Sequence, residues 1–378
     1  MKCSYYQNKQ CLSCQWIAKS YDEQIADKQQ LLADKLRSFN IKSVLPPVTS
    51  PEKAFRNKAK MAVLGTVERP ILGIMTDGVP IDLCDCPLYS STMSSTLYQV
   101  KDLIKQLQLV PYNINRKKGE LKFIILTQAD NQFMLRIVLR SEKERDKITK
   151  AIDHIQETLP QLSVISINIQ PEHAAILEGE QEFILTSQQQ LSVQLNHVPL
   201  FIQTGSFFQT NTAVASQLYA TAQHWLAPLA IHSIWDLFCG VGGFGLHCIT
   251  PERQLTGIEI NPQAIACAKR SANLLNYEKI TFQSLDATQF SLSEGQPKPE
   301  LVLVNPPRRG LGSELAIYLQ QMSPNYILYS SCNLHSLATD LTYFTNYTIE
   351  RVQLFDMFPH TEHMEILVLL KTTKELFR

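Results

Sequence analysis

Asp236-Leu237-Phe238-Cys239-Gly240-Val241-Gly242-Gly243-Phe244-Gly245 closes an apolar run that begins at Ile231. Such a run breaking into glycines reads as a strand turning into a helix, with backbone able to approach a ligand closely. The glycines fall at 240, 242, 243 and 245, so the pattern is not Gly-x-Gly-x-x-Gly, and alone it is a weak sign of a nucleotide-like ligand. The stretches that follow strengthen it. Strands are predicted over 231–237, 255–260, 280–283, 301–305, 326–330, 349–354 and 365–370, with helical segments between the first five. Strand alternating with helix means an α/β, doubly wound, mostly parallel sheet, here of seven strands with the last two in close succession.

An open sheet of this kind binds ligands outside the carboxyl ends of its strands. Four chemistry-bearing groups stand at such ends. Glu259 closes the second strand and suits both hydroxyls of a ribose. Asp286 follows the third and suits an adenine amino group. Asn305-Pro306-Pro307-Arg308-Arg309-Gly310 follows the fourth, and Cys332, in Tyr329-Ser330-Ser331-Cys332-Asn333, follows the fifth. A dehydrogenase would share the first half of this ledge. The Asn-Pro-Pro turn belongs instead with methyl transfer to planar nitrogenous groups, so the seven strands fit an S-adenosylmethionine-dependent methyltransferase domain. A lone cysteine is usually a packing residue. The polar flank of Cys332 and its loop partner favour a nucleophile.

The rest of the chain reads differently. A helix is predicted over 21–38 and another over 211–225. Between about 59 and 200, short apolar stretches such as 123–126, 134–139 and 164–169 alternate with polar helical candidates near 142–158, an α+β pattern. Two domains are therefore expected, 1–204 and 205–378. A formal net charge of zero argues against a uniformly basic coat for nucleic acid, though not against local patches such as Arg56, Lys58 and Lys60 or Arg116, Lys117 and Lys118. No run reaches the length of a membrane span and no signal-peptide block opens the chain, so a cytoplasmic protein is expected. Nine cysteines, an odd number in a chain of this kind, argue against a disulfide framework. Cys3, Cys11 and Cys14, with Cys84 or Cys86, supply four thiolates, which suit either structural zinc or an iron–sulfur cluster.

Phe238-Cys239-Gly240-x-Gly242-Gly243-Phe244, Asn305-Pro306-Pro307-Arg308, Ser331-Cys332-Asn333 and Phe358-Pro359-His360-Thr361-x-His363-x-Glu365 together resemble the RNA uracil-C5 methyltransferases. Phe55-Arg56-Asn57-Lys58-x-Lys60 and Ser206-Phe207-Phe208-Gln209-x-Asn211 match that pattern as well. The likeness spans nearly the whole chain. Stretches 82–89 and 116–122 resemble the branch of the family that methylates uridine 747 of 23S ribosomal RNA. The cysteines open the chain directly, so the OB-like TRAM domain of a longer relative is expected to be missing. The resemblance implies a [4Fe-4S] cluster on Cys3, Cys11, Cys14 and Cys86, and S-adenosyl-L-methionine held by Gln209, Phe238, Gly240, Glu259, Asp286 and Asn305. It also implies Cys332 as nucleophile and Glu365 as base. Implied partners are 23S ribosomal RNA, with no membrane and no DNA, for a monomeric enzyme. Relatives often carry Asp at the place of Asn305 and Asn at that of Asp286, so Asn305 is expected to hold base or cofactor by hydrogen bonds alone.

Carbon 5 of uracil is a poor nucleophile until a thiolate adds to carbon 6, and a base must then remove the carbon-5 proton. A free thiol with pKa near 8.5 is only about 3% ionised at neutral pH. Arg308 or Arg309 is expected to lower that value. His360, Glu362, His363 and Glu365 fit neither a zinc helix nor a facial triad. Rival readings are uracil methylation at another ribosomal or transfer-RNA site, an amino-directed RNA methyltransferase, which needs no thiol, and a non-catalytic iron–sulfur RNA-binding protein.

Overall fold

The computed structural model describes residues 1–173, 176–293 and 295–373. The chain divides into two compact units, Met1–Cys14 with Glu52–Val193, and Gln15–Pro51 with Gln194–Arg378.

The first unit is built on a seven-stranded sheet: β1 Lys58–Gly65, β2 Pro70–Thr76, β3 Val79–Asp82, β4 Leu121–Ala129, β5 Gln132–Leu139, β6 Leu162–Ile169 and β7 Gln181–Ile184. Their order is β3-β2-β1-β4-β5-β6-β7. Only β5 and β6 run parallel, joined through the helices Arg145–Lys150 and Ile152–Thr158. The helix Ser91–Gln106 buries Met93, Leu97, Val100, Leu103 and Ile104, a spacing that gives it one apolar stripe. That stripe joins the core formed by β1, β4, β5 and β6.

Strand β8 Leu191–Leu195, within which the boundary between the units falls, pairs with β9 Val198–Ile202. The second unit then forms its own seven-stranded sheet. It consists of β10 Ser233–Leu237, β11 Gln254–Glu259, β12 Ile280–Ser284, β13 Leu301–Val304, β14 Tyr326–Ser331, β15 Tyr347–Phe355 and β16 Glu365–Thr372. The order β12-β11-β10-β13-β14-β16-β15 reverses direction at β10, which makes a crevice at the β10/β13 carboxyl ends. The first five strands run parallel to one another, and β16 lies antiparallel between β14 and β15. All four residues of β13 are buried, as expected for a parallel strand covered on both faces. Each predicted strand is present, with ends displaced by two residues at most. Sequence signals end the helices where the ledge needs them: Asn261 caps Pro262–Leu275 with proline at its first position.

The division differs from a single cut at 204/205. Residues 15–51 belong to the second unit, because their polar groups find partners there. The helix Tyr21–Leu36 opens with a reciprocal Ser20/Glu23 capping box. It buries Lys28 against Asp356, Nζ to Oδ1 2.5 Å, with neither side chain exposed at all. Lys28 also donates to the Phe358 carbonyl at 3.1 Å, and Tyr21 donates to Asp356 Oδ2 at 2.7 Å. Burial lowers the Lys28 pKa and Asp356 opposes that shift. Beyond the helix, Ile41, Val44 and Val48 bridge in parallel to Ile349, Val352 and Phe355 along the outer edge of β15.

Candidate active site

The turn after β10 is held open by backbone conformation. Phe238 has φ 61° and Gly240 φ 54°. A left-handed Phe is costly and marks a site where the fold over-determines the backbone. A Cβ placed on Gly240 would meet nothing within 4 Å, so the backbone there faces open space. Asp236, fully buried, accepts the Gly245 N–H at 2.9 Å and fastens the following helix to the strand. Burial pushes its carboxyl up to about 7. Glu259 is oriented by backbone alone: Oε2 accepts from Gly240 N at 3.2 Å and Oε1 from Asn261 N at 2.9 Å. Each oxygen keeps a lone pair for a further donor.

Asp286 plays a part that the sequence did not reveal. Its Oδ1 caps the helix Ala287–Leu292, accepting from Thr288 N at 2.9 Å and Gln289 N at 3.0 Å. Asn305 stands just past β13, with its N–H 3.5 Å from the Leu237 carbonyl. Gln209 is buried in the segment after β9. That segment is tied down at both ends. Asn261 donates to the Gly205 carbonyl at 2.7 Å, and Asn211 to Ser50 Oγ at 2.8 Å.

Cys332 follows β14 and is half-buried. Burial, and then the Glu365 carboxylate, push its thiol up; Arg308 pulls it down through charge and a side-chain hydrogen bond. The cation facing the thiol is thus Arg308. Its loop is held by Asn333, which donates to the Arg308 carbonyl at 2.8 Å. Glu365, the first residue of β16, is 1% exposed, and burial raises its carboxyl to about 7. The Ser330 hydroxyl donates to Glu365 Oε1 and works against that rise. Sequence reasoning missed Ser330, whose partner lies 35 positions away on another strand.

One cavity of about 620 Å³ is lined by Gln209, Phe238, Gly240, Glu259, Asp286, Asn305, Cys332 and Glu365 together. It also takes in Arg308, Arg309 and Tyr219, the last with its phenol pKa raised by burial and by Glu365 and Asp236. A carboxylate ledge at one end and a thiol–guanidinium–carboxyl group at the other can hold an adenosine-bearing donor against a planar acceptor.

The cysteines separate by burial. Cys84, Cys239, Cys248 and Cys267 are buried, whereas Cys3, Cys11, Cys14, Cys86 and Cys332 are half-buried. Burial raises Cys14 to about 12, helped by charges on Cys86, Cys11 and Cys3. Cys86 likewise feels Cys11 and Cys3. Burial raises Cys84 as well, and its main charged neighbours are Asp82, Lys101 and Asp85. Among the described residues, no group of three or more His, Cys, Asp or Glu side chains is drawn together closely enough to hold a metal ion. The four thiols of one locality are nonetheless a donor set of the right chemistry for a soft metal centre.

The two basic groups also differ. Lys60 pairs with Glu178 at 3.5 Å, Arg56 Nε donates to the Lys58 carbonyl at 3.1 Å, and burial lowers Lys58 to about 8. Arg116, Lys117 and Lys118 are exposed on the turn closed by the Asn113–Lys118 bridge. Among the described residues no helix is long and apolar enough to cross a membrane.

Comparison with known proteins agrees with this geometry. The family described as tRNA (uracil-5-)-methyltransferase matches residues 20–373. The 23S rRNA (uracil(747)-C(5))-methyltransferase RlmC of Pectobacterium carotovorum is 55% identical over 374 residues, 98% of this chain and 99% of the relative. That of Yersinia enterocolitica is 54% identical over 373 residues, with the same coverage. Among solved structures, the tRNA (uracil-54, C5)-methyltransferase of Pyrococcus abyssi in complex with S-adenosyl-L-homocysteine shares the fold. Its TM-score is 0.78 at 23% identity, covering 95% of this chain and 86% of that one. By the extent of these matches, and with a thiol, a buried carboxyl and a ribose-type ledge in one cavity, the chain belongs to the tRNA (uracil-5-)-methyltransferase family.

Proposed function

We propose that this protein methylates carbon 5 of a uridine in 23S ribosomal RNA, at the position equivalent to uridine 747, in the cytoplasm. The observation that carries the reading is the convergence of Cys332, Arg308 and Glu365 with the Glu259 ledge in one cavity, in a chain 55% identical to enzymes named for that reaction. S-adenosyl-L-methionine, when bound, supplies an electrophilic methyl group on a sulfonium. Glu259 and Gln209 hold its polar groups, with Phe238 and Gly240 shaping the wall.

Cys332, as the thiolate favoured by Arg308, adds to carbon 6 of the uracil. The electron pair of the carbon 5–carbon 6 double bond moves onto the carbon 4 oxygen, and carbon 5 becomes nucleophilic. After carbon 5 has taken the methyl group, Glu365 removes its proton. The pair returns to the ring as Sγ leaves carbon 6, so the thiolate is regenerated and the carboxyl is left protonated. A carboxyl raised to about 7 is well matched to this task at neutral pH.

The same reading assigns a [4Fe-4S] cluster to Cys3, Cys11, Cys14 and Cys86 as a structural element, with no part in the polar methyl transfer. Its support is the shared electrostatic neighbourhood of those four thiols, with Cys84 answering mainly to burial and Asp82. The decisive experiment maps 5-methyluridine in 23S ribosomal RNA after incubation of unmodified RNA with the protein and S-adenosyl-L-methionine. A single new methyl group at the 747-equivalent position is expected. A product carrying an N-methyl group, or methylation only of transfer RNA, overturns the proposal.

A further inference from the structure

The wall that carries Cys332 and Arg308 bounds a second cavity of about 260 Å³, whose lining includes Asn333, His335, Glu362 and His363. The cavities are close neighbours. Phe358 in the wall of the first meets His363 of the second edge-on, with ring centroids 6.3 Å apart. Lys35 Nζ lies 3.0 Å from His335 Nδ1. With the ammonium donating, Nδ1 accepts, and the ring proton resides on Nε2, which is left as a donor.

The chemistry of uracil says what must lie here. Carbon 6, the atom that Cys332 takes, is bonded to N1, and N1 carries the ribose. Carbon 5 must face the methyl donor and Glu365 in the first cavity. The sugar and its phosphates therefore leave from the N1 side of carbon 6, away from carbon 5, and the second cavity, which shares Cys332 and Arg308 with the first, is the neighbouring space open to them. We infer that this cavity receives the phosphodiester adjoining the target uridine, with Arg308, His335 and His363 as its donors. Glu362, exposed and acidic, is matched to a ribose hydroxyl donor and not to the phosphate. The inference rests on the uridine-methylation reading above.

The test uses the full-length protein and a hairpin RNA bearing the target uridine, unmodified or with a neutral methylphosphonate at either flanking linkage. Wild-type protein should lose about tenfold or more in kcat/KM when one of the two linkages is neutralised, the size of a lost charge-assisted hydrogen bond. His335→Ala should lose a similar factor on unmodified RNA and lose nothing more on the neutralised one. His363→Ala provides the same comparison should His335→Ala fold poorly, and calorimetric affinity for S-adenosyl-L-methionine reports folding for both. If wild type methylates the hairpin but ignores both neutral linkages, or if both variants keep the full penalty, the inference falls while the function stands. If wild type does not methylate the unmodified hairpin, the function falls and the inference with it.

Discussion

Five half-buried cysteines stand in two settings. Cys332, in the second unit, has a guanidinium beside it and a carboxyl group behind it. Cys14 and Cys86, in the first, have Cys3, Cys11 and each other nearby, with Arg56 as a weaker opposing charge. In the first setting burial and the carboxylate push a single thiol up, and a nearby fixed cation offsets part of that rise. In the second, neighbouring thiolates raise Cys14 and Cys86 against the pull of Arg56, a repulsion that a positive centre would relieve. On the proposed reading one residue type serves as a nucleophile in the first setting and as a ligand set in the second, according to how much compensating charge has to be brought in.

The largest expected effect is that of Cys332→Ala, a loss in turnover on the order of 10⁵-fold or more. RNA with 5-fluorouridine at the target, which lacks a removable proton, should give a denaturation-resistant adduct with wild type and none with this variant. Retained crosslinking would move the nucleophile elsewhere. Next comes the ligand set. Cys86→Ser should abolish the visible absorption and iron of anaerobically purified protein, whereas Cys84→Ser should keep both. Equal loss in the two variants would break the contrast, as would one zinc and no iron in wild type. Glu365→Gln should cost about 10²–10⁴-fold. It should also accumulate a methylated adduct on ordinary uridine, because addition proceeds and elimination stalls; normal turnover would exclude Glu365 as the base.

A smaller effect separates the regions. Glu259→Ala should weaken S-adenosyl-L-methionine binding about tenfold to hundredfold while leaving iron content intact. An unchanged dissociation constant in calorimetry would refute the ribose assignment. The smallest expected effect is a pH shift. Glu365 acts as a base only when ionised, so turnover should rise with pH through about 7 and fall below it. The Ser330 hydroxyl favours the ionised form. Ser330→Ala should therefore raise the carboxyl further and move this limb upward by roughly half to one pH unit, the equivalent of about 1 kcal/mol. A limb that stays in place, or moves down, would show that Ser330 does not tune the base.

How much of this was legible in sequence follows from the range of each interaction. Strands of the second sheet announce themselves as local apolar runs, and the ledge residues sit at their ends, so the places of Glu259, Asn305 and Cys332 could be read directly, whereas Glu365 was singled out only through the family resemblance. Asp286 shows the limit: its place on the ledge was legible, but its use as a helix cap depends on backbone geometry. Arg308 and Arg309 are adjacent and chemically alike, and only the folded loop tells which faces the thiol. Lys28 reads as one more charged residue on a solvated helix. Its burial is decided by a carboxylate 328 positions away, for which no local signal exists.

That distance sets a schedule for synthesis. The first unit has all its residues once Val193 has left the ribosome, but Lys28 must then wait for Asp356. At about 5–20 residues per second, translation from Val193 to Asp356 takes roughly 8–33 s. During that interval the 15–51 segment hangs from a nearly finished neighbour as an unclaimed strap, and the last strands to emerge are the ones that buckle it.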